Sequence, residues 1–316
     1  MKPYVAGFQP KGDGWIKLNT NENPYPADVS LNLSDVGELR LYPDPDSSLL
    51  CEAIAENLNV KPENVFCGNG SDEVLALAFR AFFSGKEVAM PDISYGFYPV
   101  WAHMYGVKPK IIPLRNWDIV WSEYDGNCII ANPNSPTSLA IEIAEIPQGG
   151  VVIIDEAYID FADAPSAVEL TKKYDNLLVV RTLSKSYSLA GLRVGFAIGN
   201  EKLVERLKIF KNCFNSYPLD IIAQKIAEAA IKQPPNVKKV IETREWMKTR
   251  IKCFDSQANF VFWEVPDAKE IYEYLLKNKI LVRYWEQFPN HLRVSIGTQE
   301  EMEEMLKCIE KRMKPR

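Results

Sequence analysis

The chemistry-bearing residues of this chain gather around Lys185, which is set among Thr182, Ser184 and Ser186 and followed eight residues later by Arg193. Most lysines are solvated surface groups. These neighbours alter that expectation, because two hydroxyls and an arginine are the donors a phosphate dianion needs, and arginine can bind it bidentately. A lysine beside a bound phosphate in a partly dry site can lose its proton and attack a carbonyl carbon. A second cluster is Val151-Val152-Ile153-Ile154-Asp155-Glu156-Ala157-Tyr158. An acid at the end of a buried strand can cap the next helix. It can equally pair with a protonated heterocyclic nitrogen, with Tyr158 donating to an adjacent ring oxygen. A third is Cys67-Gly68-Asn69-Gly70-Ser71-Asp72-Glu73. It reads as a tight turn with Ser71 or Asp72 at a helix N-terminus, where free N–H groups attract phosphate. No Gly-Lys-Ser/Thr follows, so it is not a Walker loop. Tyr95 adds an aromatic ring just after the next strand.

These residues need elements to hold them at the ends of strands. Between about residues 64 and 199, short apolar runs alternate with helix-like stretches. The expected strands are 64–67, 87–90, 111–114, 128–131, 151–155, 177–181 and 194–198, with an amphipathic helix over 72–83. Runs this short, apolar throughout and rich in Val and Ile, suit strands covered on both faces, hence an α/β unit with a mostly parallel sheet. Another helical period begins near Asp46. The first 30 residues read as loops rich in Asn, Gly and Pro. Beyond Leu219 the pattern changes to helix 237–252, strand 259–265, helix 268–278, strands 280–284 and 292–296, and helix 299–311. That order reads as a small α+β unit. The expected division is residues 30–220 as a large domain, and 1–29 with 221–316 as a small one.

Composition narrows the classes further. The 316 residues carry 37 Lys+Arg against 42 Asp+Glu, a net charge of −5 that gives no electrostatic reason to expect nucleic acid. No apolar run is long enough to span a membrane and no signal-peptide pattern opens the chain, so a cytoplasmic protein is the simplest reading. The six cysteines are widely spaced with no CxxC pair, which suits free thiols in a reducing compartment. With only two histidines, His103 and His291, a His-rich metal site is excluded and no metal is expected; proton chemistry falls to another group.

Taken together, Pro3-Tyr4-Val5-Ala6-Gly7, Asn21-Glu22-Asn23-Pro24, Tyr42-Pro43-Asp44-Pro45, the glycine loop, Asp155-Glu156-Ala157-Tyr158 and Ser184–Arg193 form an ordered series. Ser256-Gln257-Ala258-Asn259-Phe260 and Leu292–Thr298 complete it. In this order and spacing the chain resembles the fold-type I pyridoxal-phosphate aminotransferases, and among them the histidinol-phosphate aminotransferase family. The resemblance implies a large domain with a mostly parallel sheet covered by helices, a small α+β domain, a homodimer and pyridoxal 5'-phosphate as cofactor. It implies that Lys185 holds the cofactor covalently and then moves the proton, as an amine whose pKa is lowered near Arg193 and the cofactor. Asp155 would keep the ring nitrogen protonated, Tyr158 would bond the ring hydroxyl and Tyr95 would stack on the ring. Ser71, Asp72, Thr182, Ser184 and Arg193 would hold the phosphate, joined by the partner subunit's Tyr42. Arg293 would bind the anionic end of the substrate, with Tyr4, Asn23 and Arg283 as further contacts.

The implied reaction exchanges an amino group between glutamate and imidazole-acetol phosphate, giving 2-oxoglutarate and histidinol phosphate. Decarboxylation of threonine phosphate and aromatic amino-acid transamination share most of these motifs, and a non-catalytic binder on the same fold is the reading from another class. One segment departs from the family pattern at two positions, Ser135 and Ser138. Where Asn-Asn-Pro-Thr-Gly is common, this chain has Asn134-Ser135-Pro136-Thr137-Ser138. Ser135 takes the place of the asparagine that bonds the ring hydroxyl, and Asn134 is expected to supply that amide.

Overall fold

The computed structural model describes residues 3–29 and 39–313. The arm at the start carries one short strand, β1 (Ile16–Lys17), before helix α1 (Ser48–Leu58). Strand β2 (Val65–Asn69) leads directly into α2 (Gly70–Ala78), whose last turn loosens into a π-helical stretch over Phe79–Phe83. Next come β3 (Glu87–Pro91), α3 (Tyr98–Met104), β4 (Lys108–Ile112), β5 (Cys128–Ala131), β6 (Val152–Asp155), β7 (Leu177–Thr182) and β8 (Val194–Gly199). These strands form one seven-stranded sheet in the order β2-β8-β7-β6-β5-β3-β4. Only β8 runs against its neighbours; the other pairings are parallel. β8 can be antiparallel because it returns from β7 through residues 183–193, with no crossover helix. That return carries Lys185.

The sheet is covered on both faces, which is why its strands lack polar alternation. Along β7, Leu177 and Val179 enter one core, and Leu178 and Val180 the other. The first core contains Leu50 and Ile54 of α1, together with Ala223 and Ala227 of α5 (Ile221–Ile231). The second contains Val74 of α2, Trp101 of α3 and Leu207 of α4 (Glu201–Asn212). α5 therefore packs with the large unit. The boundary expected at 220 falls just before this helix, and the other expected end, residue 30, lies outside the described residues.

The remaining elements are α6 (Lys238–Lys248), β9 (Phe260–Glu264), α7 (Ala268–Lys277), β10 (Ile280–Leu281), β11 (Arg283–Tyr284), β12 (His291–Ser295) and α8 (Gln299–Met313). β11, β12 and β9 make an antiparallel sheet, and a third core joins Phe260, Leu275, Val294 and Met305 to Leu18 of the arm. The strand expected over 280–284 divides at Val282. β10 pairs in parallel with β1, while β11 pairs with β12. The arm is thus tied into the C-terminal sheet system and crosses the carboxyl ends of the large sheet, where ligands of such sheets gather.

Candidate active site

A cavity of about 470 Å³ lies between those strand ends and the arm, within the range of small-molecule sites. Asp155, Thr182 and the start of α2 reach it because β6, β7 and β2 end there, and Arg193 reaches it because antiparallel β8 begins there. Ser71, Asp72, Tyr95, Tyr158, Ser184, Lys185, Arg283, Arg293 and Tyr4 also line it.

One end is a cradle of donors. Thr182 Oγ1 lies 2.9 Å from Ser184 Oγ, and the Ser184 N–H donates to Thr182 Oγ1 at 3.1 Å. Arg193 donates from Nη1 to Ser184 Oγ at 3.4 Å and from Nη2 to Asp72 Oδ2 at 3.4 Å. Gly70 has φ +80°, a conformation that favours glycine, and a Cβ there would meet the Arg193 guanidinium at 2.4 Å. A Cβ on Gly195 would strike the Ser71 backbone nitrogen at 2.1 Å, so two glycines let backbone and arginine approach. Asp72 departs from its expected role in one respect. Its carboxylate is taken by Arg193 and by the Tyr95 hydroxyl at 2.8 Å, so it orients those two side chains.

The middle of the cavity holds Asp155 and Lys185. Burial pushes Asp155 up to about 6, although the Tyr98 hydroxyl, donating at 2.9 Å, and the Ala157 N–H, at 3.2 Å, both favour its charged form. No cation of the chain forms an ion pair with this carboxylate among the described residues, so it suits a cationic nitrogen brought by a ligand. Lys185 Nζ donates to the Thr20 carbonyl at 3.3 Å and lies 5.8 Å above the Tyr158 ring. Burial pulls Lys185 down to about 8, helped by the Arg293 charge and opposed by Asp72 and Glu22; Arg193 contributes less than these. The depressed pKa expected from the sequence therefore comes mainly from burial and Arg293. The Tyr158 hydroxyl accepts from the Asn21 amide at 3.0 Å, which leaves its own proton available for donation into the cavity.

The other end is cationic. Arg283 and Arg293 stand directly opposite one another across β11 and β12. Arg293 donates to the Asn19 carbonyl at 2.8 Å, its Nη1 reaches Ser135 Oγ at 3.5 Å, and its Nε is buried without a partner. Burial lowers its pKa, and Arg283 lowers it further. Arg283 donates to the Val5 carbonyl at 3.3 Å. Like charges opposed on neighbouring strands are unfavourable, and an anion between them would relieve both.

Three expected residues lie elsewhere. Asn134 is buried, its amide donating to the Ile93 carbonyl at 3.0 Å and to Thr137 Oγ1 at 3.2 Å, while its oxygen accepts from Ser94. Ser135 faces the cavity instead. Asn23 donates to the Lys185 and Asn236 carbonyls, at 3.4 and 2.8 Å, and so bolts the arm to the lysine loop without lining the cavity. Tyr42 is 81% exposed and stacks on Tyr217 at 4.6 Å, outside this chain's own cavity. His291 packs among Phe262, Phe254 and Trp117 and does not line the cavity. Sequence reasoning missed Tyr98, which carries no local pattern and acts across 57 residues, and it singled out Asn21 only as part of a motif, with no hint of its bond to Tyr158, 137 residues away.

The fit to a phosphorylated, carbonyl-bearing heterocycle rests on these groups together: a phosphate cradle cleared by glycines, an unpaired buried carboxylate, and an amine between them with a lowered pKa. The model for the family "Aminotransferase class I and II" matches residues 13–309. A histidinol-phosphate aminotransferase of Clostridium botulinum is 44% identical, with 98% of this chain and 96% of that protein covered. One of Brachyspira hyodysenteriae is 45% identical, with 96% and 94% covered. The fold is similar to that of histidinol-phosphate aminotransferase from Sinorhizobium meliloti in complex with pyridoxal-5'-phosphate, at TM-score 0.81 and 21% identity, with 94% and 91% covered. The site and these likenesses agree, and the chain belongs to the class I and II aminotransferases, in their histidinol-phosphate aminotransferase family.

Proposed function

We propose that this chain uses pyridoxal 5'-phosphate to exchange an amino group between glutamate and imidazole-acetol phosphate, giving 2-oxoglutarate and histidinol phosphate. The observation that carries the substrate assignment is the opposed pair Arg283 and Arg293, with the Arg293 Nε buried and unpartnered in the cavity that Lys185 also lines. That pair suits the phosphate of one substrate and a carboxylate of the other.

Ser71, Thr182, Ser184 and Arg193 would hold the cofactor phosphate, Asp155 its ring nitrogen and Lys185 its aldehyde carbon. When bound, the cofactor supplies the electron sink for breaking a C–H bond. Lys185 would be the base that takes the proton from the substrate carbon and the acid that returns it in the 1,3 transfer; a pKa of about 8 leaves a useful fraction of neutral amine at physiological pH. Asp155 would be kept ionised by a cationic ring nitrogen and would favour its protonated form. Tyr158 would donate to the ring hydroxyl, and Ser135 offers a further hydroxyl in the cavity lining. Arg293 fixes the substrate's anionic end, and Tyr4, stacked on Phe97 at 4.2 Å, walls the entrance.

The homodimer belongs to the same proposal. Leu39, Leu41, Tyr42 and Phe214 are all more than half exposed, and Tyr42 stacks on Tyr217. An apolar surface of this kind suits a second copy, which would bring the partner subunit's Tyr42 to the phosphate cradle. No helix among the described residues is long and apolar enough to cross a membrane. All six cysteines are free, in keeping with the proposed cytoplasmic location. The test is direct. The purified protein with pyridoxal phosphate, glutamate and imidazole-acetol phosphate should form histidinol phosphate and 2-oxoglutarate in equal amounts. Carbon dioxide release from threonine phosphate without amino transfer would replace this reading with decarboxylation.

A further inference from the structure

The proposed reaction asks one cavity to accept two unlike amino-group carriers, a dicarboxylate and an imidazole-bearing phosphate. Each can place one anionic end on Arg283 and Arg293. The other ends differ: an imidazole offers an N–H and readily carries positive charge, whereas glutamate offers a second carboxylate. A carboxylate in the cavity wall would favour the first and disfavour the second.

Among the described residues three acids line the cavity, Glu22, Asp72 and Asp155. Asp72 is engaged by Tyr95 and Arg193, and Asp155 lies at the cofactor end with Tyr98. Glu22 differs from both. Lys17 forms an ion pair with its Oε2, and Thr20 Oγ1 donates to the same oxygen at 2.8 Å, while Oε1 accepts no hydrogen bond from the described residues. The neighbouring Thr20 carbonyl receives Lys185 Nζ at 3.3 Å, which sets the Glu22 turn beside the reacting amine.

The turn is also held on both sides of Glu22. The Asn21 N–H donates to Ser295 Oγ at 2.8 Å, and the Asn21 carbonyl accepts from Asn259 at 2.9 Å. Asn23 is tied to Asn236 and to the Lys185 carbonyl. A carboxylate that lines a substrate cavity, half-exposed, steadied by Lys17 and held between two bolted residues, is arranged to recognise a ligand donor.

We propose that Glu22 selects the imidazole-bearing substrate, its carboxylate oxygen Oε1 accepting the ring N–H. This rests on the reaction assigned above. The dicarboxylate is admitted in spite of Glu22, through the arginine pair, so the two substrates respond oppositely when the charge is removed.

The experiment compares wild-type holoenzyme with Glu22→Gln, which keeps the side chain's shape. KM for histidinol phosphate should rise about tenfold, the size expected for losing one charge-assisted hydrogen bond, with kcat little changed and KM for glutamate not raised. A second readout is calorimetric binding of two unreactive anions, imidazolylpropyl phosphate and pentyl phosphate. Wild type should prefer the imidazole compound, and Glu22→Gln should lose that preference while binding pentyl phosphate as before. Equal losses for both substrates, a change confined to kcat, or a preserved preference would overturn the proposal. Wild-type protein that prefers the imidazole anion yet performs no amino transfer would overturn the reaction assignment and leave the imidazole subsite supported.

Discussion

The two walls of the cavity are built on different terms. The wall at the strand ends comes from the carboxyl ends of β2, β6 and β7 and the start of β8, and its polar groups largely satisfy one another: Thr182 with Ser184, Arg193 with Asp72, Asp72 with Tyr95, Tyr98 with Asp155. The facing wall comes from the arm and from β11 and β12. It keeps Arg293 Nε and Asn19 Oδ1 buried and unpartnered, and it sets two arginines against each other. Leaving such groups unmet is unfavourable by about 1–3 kcal/mol for each neutral group and more for a charge. The saturated wall suits a group that stays in place, and the unsatisfied wall suits ligands that come and go. The unmet polar groups in effect record the shape of the exchanging ligand.

Substitutions on the two walls should therefore fail differently. The largest effect is expected from Lys185→Ala, which should keep the fold and lower kcat by about ten-thousand-fold or more, since in the proposed reaction one amine would both hold the cofactor and move the proton. Full turnover in this variant without added amine would break the assignment. Asp155→Asn should lower kcat by about a hundredfold or more while KM changes little, because it acts on the cofactor's electronics. On the facing wall, Arg293→Ala should do the reverse. KM for both substrates should rise by about 10- to 100-fold, the loss of a charge-assisted contact, with a smaller change in kcat. A kcat defect without a KM defect would erase the distinction between the walls.

Two gentler changes sharpen it. The pKa of Lys185 near 8 predicts that covalent capture of pyridoxal phosphate by the cofactor-free chain, trapped with borohydride, accelerates as pH rises through about 8 and then levels off. The sign follows from the lowered pKa: the neutral amine forms well before the ordinary lysine value of 10.5. Tyr98→Phe removes a donor that favours ionised Asp155, so the acid should rise further from its present value of about 6. A stability change of about 1 kcal/mol and a mild loss of cofactor affinity at low pH are expected, measurable by thermal melts and titration.

The difference between the walls also governs what could be read from the sequence. The strand-end wall is legible because its residues are local: Thr182 ends β7, and Ser184, Lys185 and Arg193 sit on the return from it to β8. Buried strands announce themselves as apolar runs, and β5 was placed residue for residue. β4 was shifted, because Lys108, Pro109 and Lys110 occupy a sheet edge where polar residues and proline are allowed and the apolar signal weakens. The packing of α5 has no local signal, since its partner, α1, lies far away in sequence. The facing wall was legible only through resemblance. The arm reads as loop text, and nothing local in Asn23 reveals that its amide is committed to two carbonyls. Asn134 failed for the same reason: its amide is taken by Ile93 and Thr137, contacts that appear only when the loops meet.

The most direct test of the central claim is a comparison of kcat/KM for histidinol phosphate, phenylalanine and threonine phosphate on one preparation, with 2-oxoglutarate as acceptor. A wall with two arginines and a cavity-lining carboxylate predicts that histidinol phosphate leads by about a hundredfold or more, the product of a phosphate contact and a ring contact. Equal values for histidinol phosphate and phenylalanine, or carbon dioxide release from threonine phosphate as the fastest reaction, would contradict it.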